Sequence, residues 1–209
     1  NVLGANIPSI FDKLGKFTIV GNSQVTASTV KANIQIDTEL GFVDSNLQIS
    51  KINDIDNASY SGKIVFENFD FGIFLNDPNV GMASLDFDVN GHGFTAKNLN
   101  TQVTGDVHEI EYNNYNYTGI KVVGNVRNKI FDGNLIANDK NLKLNFLGLV
   151  DFSDKVNKYD FEANVDFADL NALNFIKKDS ISLFSTNVKM NMNSSSYDDA
   201  YGKISFNNT

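Results

Sequence analysis

The stretch YDFEANVDF, residues 159–167, alternates an aromatic or aliphatic residue with an acidic residue or an asparagine. Side chains on a β-strand point alternately to the two faces of a sheet, so this stretch predicts a strand with one apolar and one polar face. The same alternation occurs in LDFDVN, residues 85–90, and in VKMNMN, residues 188–193. The sequence therefore predicts a long sheet that is apolar on one side.

Alternating runs of this kind continue along the chain from about residue 17. Glycines and Asn/Asp pairs separate the runs at intervals of roughly 10 to 14 residues, which favours hairpins in an antiparallel meander. The predicted fold class is all-β. A closed barrel, a sandwich, a solenoid and an open curved sheet all fit this pattern.

One or two short helices are predicted, together with breaks in the strand pattern. Ser9 and Asp12 have the spacing of a capping box, so a short helix is expected in an N-terminal extension, residues 1–16. Two further apolar turns are expected at residues 72–79, where Pro78 cannot continue a strand ladder, and at DFADLNALNFIKK, residues 166–178.

A loose internal repeat is suggested by FENFDF, residues 66–71, and FEANVDF, residues 161–167. Both stretches end a strand just before an apolar turn. We therefore expect residues 17–209 to form one continuous β segment of two loose repeats, about 17–110 and 111–209.

Composition argues against several classes of function. The formal net charge is -8 and Arg127 is the only arginine, so binding to nucleic acid, which needs clustered cations, is not expected. The chain has no cysteine, which excludes disulfides, thiolate metal sites and cysteine nucleophiles. No apolar run approaches the roughly 20 residues of a membrane helix, so any membrane attachment is expected to lie outside this chain. We expect the chain to be a piece of a longer protein.

Asp86-x-Asp88-x-Asn90-Gly91 matches the opening half of a calcium-binding loop. The twelfth position of such a loop needs a bidentate glutamate, and here it is Lys97. We therefore interpret these side chains as the solvated face of a strand and predict no metal site and no cofactor.

Other titratable residues do not form a recognisable catalytic pattern. The only histidines, His92 and His108, lack the spacing of a metal site. Asp160, Glu162 and Asp166 share one face of a predicted strand, but exposed carboxylates in such a row rarely differ enough to act as an acid and base pair. We predict that the protein is not an enzyme.

Two longer strings resemble a known family. NDIDNASYSGKIVFENFDFGIFLNDPNVG, residues 53–81, and DFEANVDFADLNALNFIKKDSIS, residues 160–182, resemble segments of the large TamB proteins of the Bacteroidota. These translocation and assembly module proteins belong to the AsmA-like, bridge-like lipid-transfer superfamily. The resemblance runs from about residue 17 to the end of the chain and lies in the strand pattern, with no active-site motif.

The resemblance implies a periplasmic protein anchored to the inner membrane through a segment absent from this piece. Its sheet would form an elongated U-shaped trough, or β-taco, that carries phospholipid between the inner and outer membranes and supports the assembly or secretion of outer-membrane proteins. The implied partners are phospholipid acyl chains and, through other parts of the full-length protein, an outer-membrane barrel of the Omp85 type. Exposed sheet edges in this piece would favour artificial edge-to-edge dimers.

The residues expected to line the trough occupy the apolar positions of the predicted strands. They are Ile64, Phe66, Leu85, Phe87, Val89, Leu142, Leu144, Phe146, Tyr159, Phe161, Val165, Phe167, Val188, Met190, Met192, Ile204 and Phe206.

Two alternatives share this strand pattern. In one, the chain is a structural or adhesive solenoid or sandwich, whose apolar face is a sealed core and whose Asn/Asp-rich face meets glycans or protein. In the other, the trough acts as a chaperone that receives strands of an unfolded barrel by edge pairing. Periodicity alone does not distinguish an open apolar face from a sealed one.

Overall fold

A computed structural model of the protein describes residues 13–54, 56–95, 97–177, 182–195 and 199–207. It contains a single antiparallel sheet of 12 strands whose spatial order follows the chain. The strands are β1 Phe17–Val25, β2 Thr29–Thr38, β3 Gly41–Ser50, β4 Ser59–Asp70, β5 Val80–His92, β6 Asn100–Tyr112, β7 Tyr115–Arg127, β8 Ile130–Asn138, β9 Leu142–Asp151, β10 Asn157–Asp169, β11 Leu183–Ser194 and β12 Tyr201–Asn207. The helix α1, Phe71–Leu75, connects β4 to β5.

The sheet is open, because among the described residues β1 pairs only with β2 and β12 pairs only with β11. The predicted all-β fold with one open antiparallel sheet is therefore confirmed. The turn predicted at residues 72–79 overlaps α1, which begins at Phe71. The predicted N-terminal helix falls mainly on residues 1–12, which lie outside the described residues.

Register partners place the apolar side chains of successive strands on one side of the sheet, here called the apolar face. Ile64 on β4 is opposite Phe87 on β5, and Phe146 on β9 is opposite Ala163 on β10. Because the side chains alternate, the acidic and asparagine residues between them project from the other side, here called the polar face.

Glycines on the apolar face let neighbouring strands and aromatic rings approach closely. Gly124, Gly133 and Gly148 are register partners on β7, β8 and β9, and Gly148 is opposite Phe161. A Cβ added to Gly148 would lie 2.4 Å from the carbonyl oxygen of Asp160. Phe161 thus lies beside β9 at the one position, Gly148, where that part of the strand has no side chain.

A β-bulge corrects one sequence prediction. Val165 is opposite Leu144 on the apolar face, but the register shifts by one residue after it and Phe167 is opposite Lys143. Phe167 therefore lies on the polar face, and Ala168, opposite Leu142, returns to the apolar face. The inserted residue changes the phase of the strand, so two-residue alternation fails at this point.

The helix α1 begins and ends at identifiable caps. The Asp70 carboxylate accepts a hydrogen bond from the Ile73 amide at 2.8 Å, and Asn76 ends the helix in the left-handed conformation, with φ of 60°. After β10, Asp169 caps the next turn in the same way by accepting from the amides of Asn171 and Ala172. Both connections thus begin with an aspartate that caps the following turn, Asp70 after β4 and Asp169 after β10.

The buried core lies on the apolar face near the side of the sheet where β4, β6, β8 and β10 end, here called the capped rim. One cluster includes Val107, Ile120 and Ala137 together with Leu173 from the connection after β10. A second cluster joins Leu14 to Phe69, which is 1% exposed. The connections at this rim therefore cover part of the apolar face.

Candidate functional site: the apolar face

The apolar face is continuous across the sheet. Two rows of register partners show this, one crossing β1 to β10 and the other crossing all the strands. The first row is Ile19, Ile36, Val43, Phe66, Leu85, Val107, Ile120, Ala137, Leu144 and Val165. The second row is Gly21, Ile34, Ser45, Ile64, Phe87, Gly105, Val122, Leu135, Phe146, Ala163, Val188 and Phe206.

No residue in these two rows is charged. At about 4.8 Å between neighbouring strands, the second row is roughly 50 Å long. The structure thus places an extended hydrocarbon-like surface along the direction perpendicular to the strands.

Exposure varies along this surface. Among the predicted lining residues, Leu85 near the centre is buried, whereas Ile204 and Phe206 on the edge strand β12 are 40% and 57% exposed. The other lining residues, apart from the displaced Phe167, are on the apolar face and half-buried. Since all described strands belong to one sheet, no second sheet of the described chain covers them.

Residues 170–176, here called the strap, cross the apolar face at the capped rim. Leu173 is 1% exposed and belongs to the same apolar cluster as Tyr117 and Ile120 of β7. The strap follows β10, so it reaches β7 without following the intervening strands β8 and β9. Part of the apolar face is therefore filled by the chain's own side chains.

Reciprocal hydrogen bonds fasten the strap to the turn between β6 and β7. The Asn174 side-chain amide donates to the carbonyl oxygens of Asn113 and Asn114, both at 3.0 Å. The Asn113 side-chain amide donates to the carbonyl oxygen of Asn174 at 3.2 Å. We call this set of contacts the asparagine clasp.

The backbone of the clasp residues explains why they are asparagines. Asn113, Asn114 and Asn174 have φ of 51°, 58° and 65°, which is the left-handed region that asparagine tolerates better than most residues. The backbone amide of Asn113 also donates to the carbonyl oxygen of Asn79, which follows α1, at 2.8 Å. Three connections of the capped rim therefore meet at one turn.

A buried carboxylate lies beside the clasp. Asp139 is 1% exposed and accepts hydrogen bonds from the Tyr115 hydroxyl at 2.5 Å, from the amide and hydroxyl of Thr118, and from the Asn141 amide. Burial raises the pKa of Asp139, but these hydrogen bonds outweigh burial and lower the pKa below its usual value. Burial and the adjacent Asp139 raise the pKa of Tyr115 to about 12.

The acidic residues considered as a calcium motif lie on β5, on the polar face. Asp86 is 3.5 Å from the Lys63 ammonium nitrogen and 3.4 Å from the His108 imidazole nitrogen. In the described ranges, no three His, Asp or Glu side chains are close enough together to hold a metal ion. Glu162, considered as an acid or base, pairs with Lys189 of β11.

The polar face also carries a row of asparagines. Asn145, Asn164, Asn187 and Asn207 are register partners on β9 to β12. They line a shallow cavity of about 590 Å³ together with residues that include Leu147, which is 60% exposed. The polar composition of this face is predictable from the sequence, but the row is not, because it depends on the register between strands.

The strap and the clasp were not predicted as parts of the site. An apolar turn was expected at residues 166–178, but its contact with Asn113 joins residues that are 61 positions apart. Periodicity reports on one strand at a time, so the only available signal was the pair of asparagines in the turn between β6 and β7.

Comparison of the chain with protein-family models, with curated proteins and with solved structures found no match. None of the helices in the described part of the chain is long and apolar enough to cross a membrane.

Proposed function

We propose that the apolar face binds phospholipid acyl chains, and that this chain is a section of a periplasmic lipid conduit of the TamB type. The observation that carries the proposal is the uncharged row of register partners that crosses every strand. Burial of a hydrocarbon chain contributes roughly 0.8 kcal/mol per methylene, so such a surface binds acyl chains without a specific polar contact. The exposed part of this face, which includes Ile204 and Phe206 on β12, is apolar, and contiguous exposed apolar patches are typical of binding sites.

The resemblance to TamB supplies the biological setting of the proposal. The conduit would move phospholipid between the inner and outer membranes and support outer-membrane protein assembly or secretion. Anchoring in the inner membrane and contact with an Omp85-type barrel would come from other parts of the full-length protein. The chain would act by desolvating acyl chains, with no chemical step.

The first experiment is mass spectrometry of organic extracts from purified wild-type protein, a Phe161→Asp variant and a Leu147→Asp variant. Phe161 lies on the apolar face and Leu147 on the polar face of the neighbouring strand, so the two variants carry the same new charge on opposite sides. We expect phospholipid in extracts of the wild type and of Leu147→Asp, and its loss from Phe161→Asp. Circular dichroism must show that the sheet persists in both variants.

A wild-type extract without phospholipid, combined with unfolding of Phe161→Asp, would contradict the conduit. That pair of results is expected of a sealed core, where an unpaired buried charge is very costly.

A second candidate function is adhesion through the polar face. It is favoured by the cavity along the asparagine row, since side-chain amides both donate and accept hydrogen bonds and the exposed Leu147 offers an apolar contact to a sugar ring. Asn164→Ala and Asn187→Ala together should then abolish binding to a glycan array. Retention of glycan binding by this double variant would eliminate the asparagine row as the binding surface.

A further inference from the structure

We propose that the strap, residues 170–176, is a gate that opens and closes one section of the apolar face. The inference rests on the proposed function, because it concerns where on that face an acyl chain enters. The section lies at the capped rim, over β6 to β9. When the strap is closed, its own apolar side chains take the place of the lipid.

Burial identifies the occupied section. Leu173 is 1% exposed, and Leu170 is partly buried against the same cluster, which includes Val107, Ile120 and Ala137 of the row described above. Because Leu173 packs into this cluster, an acyl chain that binds over the cluster would have to displace the strap. The strap therefore competes with lipid for the section at which, in this proposal, an acyl chain enters the apolar face.

A small number of polar contacts hold the strap closed, in addition to the burial of Leu173. Apart from the packing of Leu170 and Leu173, the asparagine clasp fastens the strap to the distant turn. Most amides of the strap bond within residues 169–176, as from Phe175 to the Leu170 carbonyl at 2.9 Å, and the Leu170 amide donates to the Ser182 carbonyl oxygen at 2.8 Å. It adds no strand to the sheet. The strap can therefore swing away without breaking the ladder between β9, β10 and β11, as expected for a segment that opens below the global unfolding free energy.

Phe175, two residues after Leu173, provides a contrast in exposure. Phe175 is 58% exposed although it is adjacent to the clasp residue Asn174. Leu173 and Phe175 thus allow the buried and exposed sides of one segment to be tested with matched substitutions.

The central experiment uses a disulfide as a reversible lock. The chain has no cysteine, so Asn113→Cys with Asn174→Cys introduces the only thiols. The reciprocal hydrogen bonds bring these two residues close enough for a disulfide to be attempted. The oxidised and reduced forms are the same polypeptide, so any strain from cysteine at these left-handed positions is present in both.

Uptake is measured from vesicles of phosphatidylethanolamine and phosphatidylglycerol that contain a fluorescent phosphatidylethanolamine. We expect the oxidised form to take up the probe roughly tenfold less than the reduced form, since locking removes the competent population. The reduced form should exceed wild type, because it lacks the clasp. Asn22→Cys with Asn33→Cys, register partners on β1 and β2, is the control disulfide and should leave uptake unchanged on oxidation.

Side-chain variants test what the closed strap occupies. Leu173→Ser should increase uptake of the probe, because the strap then competes less well for the apolar face. Phe175→Ser on the exposed side should leave uptake at the wild-type value. Equal uptake by the two variants would overturn the assignment of Leu173 as the competing group.

Hydrogen exchange of residues 170–176, followed by mass spectrometry, tests the gate without lipid. We expect these amides to exchange while β9 and β10 remain protected, and to be slowed by the oxidised lock. Exchange only on global unfolding, or a lock without effect on uptake, would overturn the gate.

The experiments can disprove the conduit and the gate independently. If the wild type takes up no probe but the strap opens in the exchange experiment, the conduit is wrong and the strap is a mobile cover on a surface with another role. If the wild type takes up the probe and the lock changes nothing, the conduit stands and the gate is wrong.

Discussion

Asp139 shows how much of this rim depends on a single side chain. Its carboxylate accepts four hydrogen bonds that join β7 to the turn between β8 and β9, and it is almost fully buried. A buried carboxylate is tolerated only when donors surround it, because its desolvation is otherwise very costly. Its sequence neighbours, Asn138 and Lys140, give no sign of this burial.

Replacement of Asp139 by alanine should reduce the free energy of unfolding by about 3 kcal/mol, because the Thr118 and Asn141 donors lose their acceptor. Asp139→Asn keeps one acceptor oxygen and should cost less. Urea unfolding of the three proteins measures the difference. An alanine variant as stable as wild type would contradict the role assigned to this network.

Stability should fall at both ends of the pH scale through this network. The pKa of Asp139 is lower in the folded protein than its usual 3.8, so its contribution is present above that pH and is lost as the pH falls through the folded value. The pKa of Tyr115 is raised from 10.0 to about 12, so its contribution is present below pH 10 and is lost as the pH rises through 12.

Unfolding free energies measured across this pH range provide the check. Asp139→Asn should flatten the acid side of the profile, and Tyr115→Phe should flatten part of the alkaline side. A Tyr115→Phe profile that matches wild type above pH 10 would show that the hydroxyl does not contribute.

Gly148→Ala tests the close approach of strands on the apolar face. Gly148 has φ of 145°, and an added Cβ would meet both the Asp160 carbonyl oxygen and Phe161. We expect a loss of about 2 kcal/mol or more in the free energy of unfolding. Gly81→Ala is a control, since its added Cβ meets the carboxylate of the flexible Glu111 side chain and Gly81 has no positive φ.

At the scale of elements, alternation in the sequence was enough to predict the strands and their faces. Val188, Met190 and Met192 lie on the apolar face as their spacing indicates. The prediction failed at Phe167 because a bulge changes the phase of β10, and the sequence carries no separate mark of an inserted residue. Pro78 correctly marked the break between β4 and β5, whereas the clasp depends on a contact between distant turns.

The edge strand β1 has the features of an edge that can pair with a strand of another chain. Its sequence FTIVGNSQV contains no charge or proline, all of its residues are exposed, and one side of its ladder is unpaired in the described sheet. We expect the protein to self-associate by edge pairing, as measured by sedimentation velocity, and Val20→Lys to weaken this association.

Val123→Lys is the matched control for the edge. Val123 is 54% exposed on the inner strand β7, and Val20 is 63% exposed; both lie on the polar face. The inner substitution should leave association unchanged. Equal effects of the two lysines would show that association uses the polar face instead of the edge.

At the scale of the whole molecule, the open antiparallel sheet was predictable but the accessibility of its apolar face was not. Alternation predicts which residues share a side of the sheet, but it gives no information on what lies against that side. Leu85 and Phe206 illustrate the difference: both have the same pattern in sequence, yet one is 8% and the other 57% exposed. Their positions in the sheet, central and at the edge, decide this outcome.

The meander order of the strands makes the extent of the apolar face a direct function of chain length. Each strand pairs with the strands that precede and follow it, so adding or removing one hairpin changes the length by about 10 Å and leaves every other pairing intact. Every pairing joins strands that are consecutive in the chain, so such a sheet can form progressively from one end. Duplication of a hairpin is therefore a simple evolutionary route by which a sheet of this kind is fitted to the distance that it must cover.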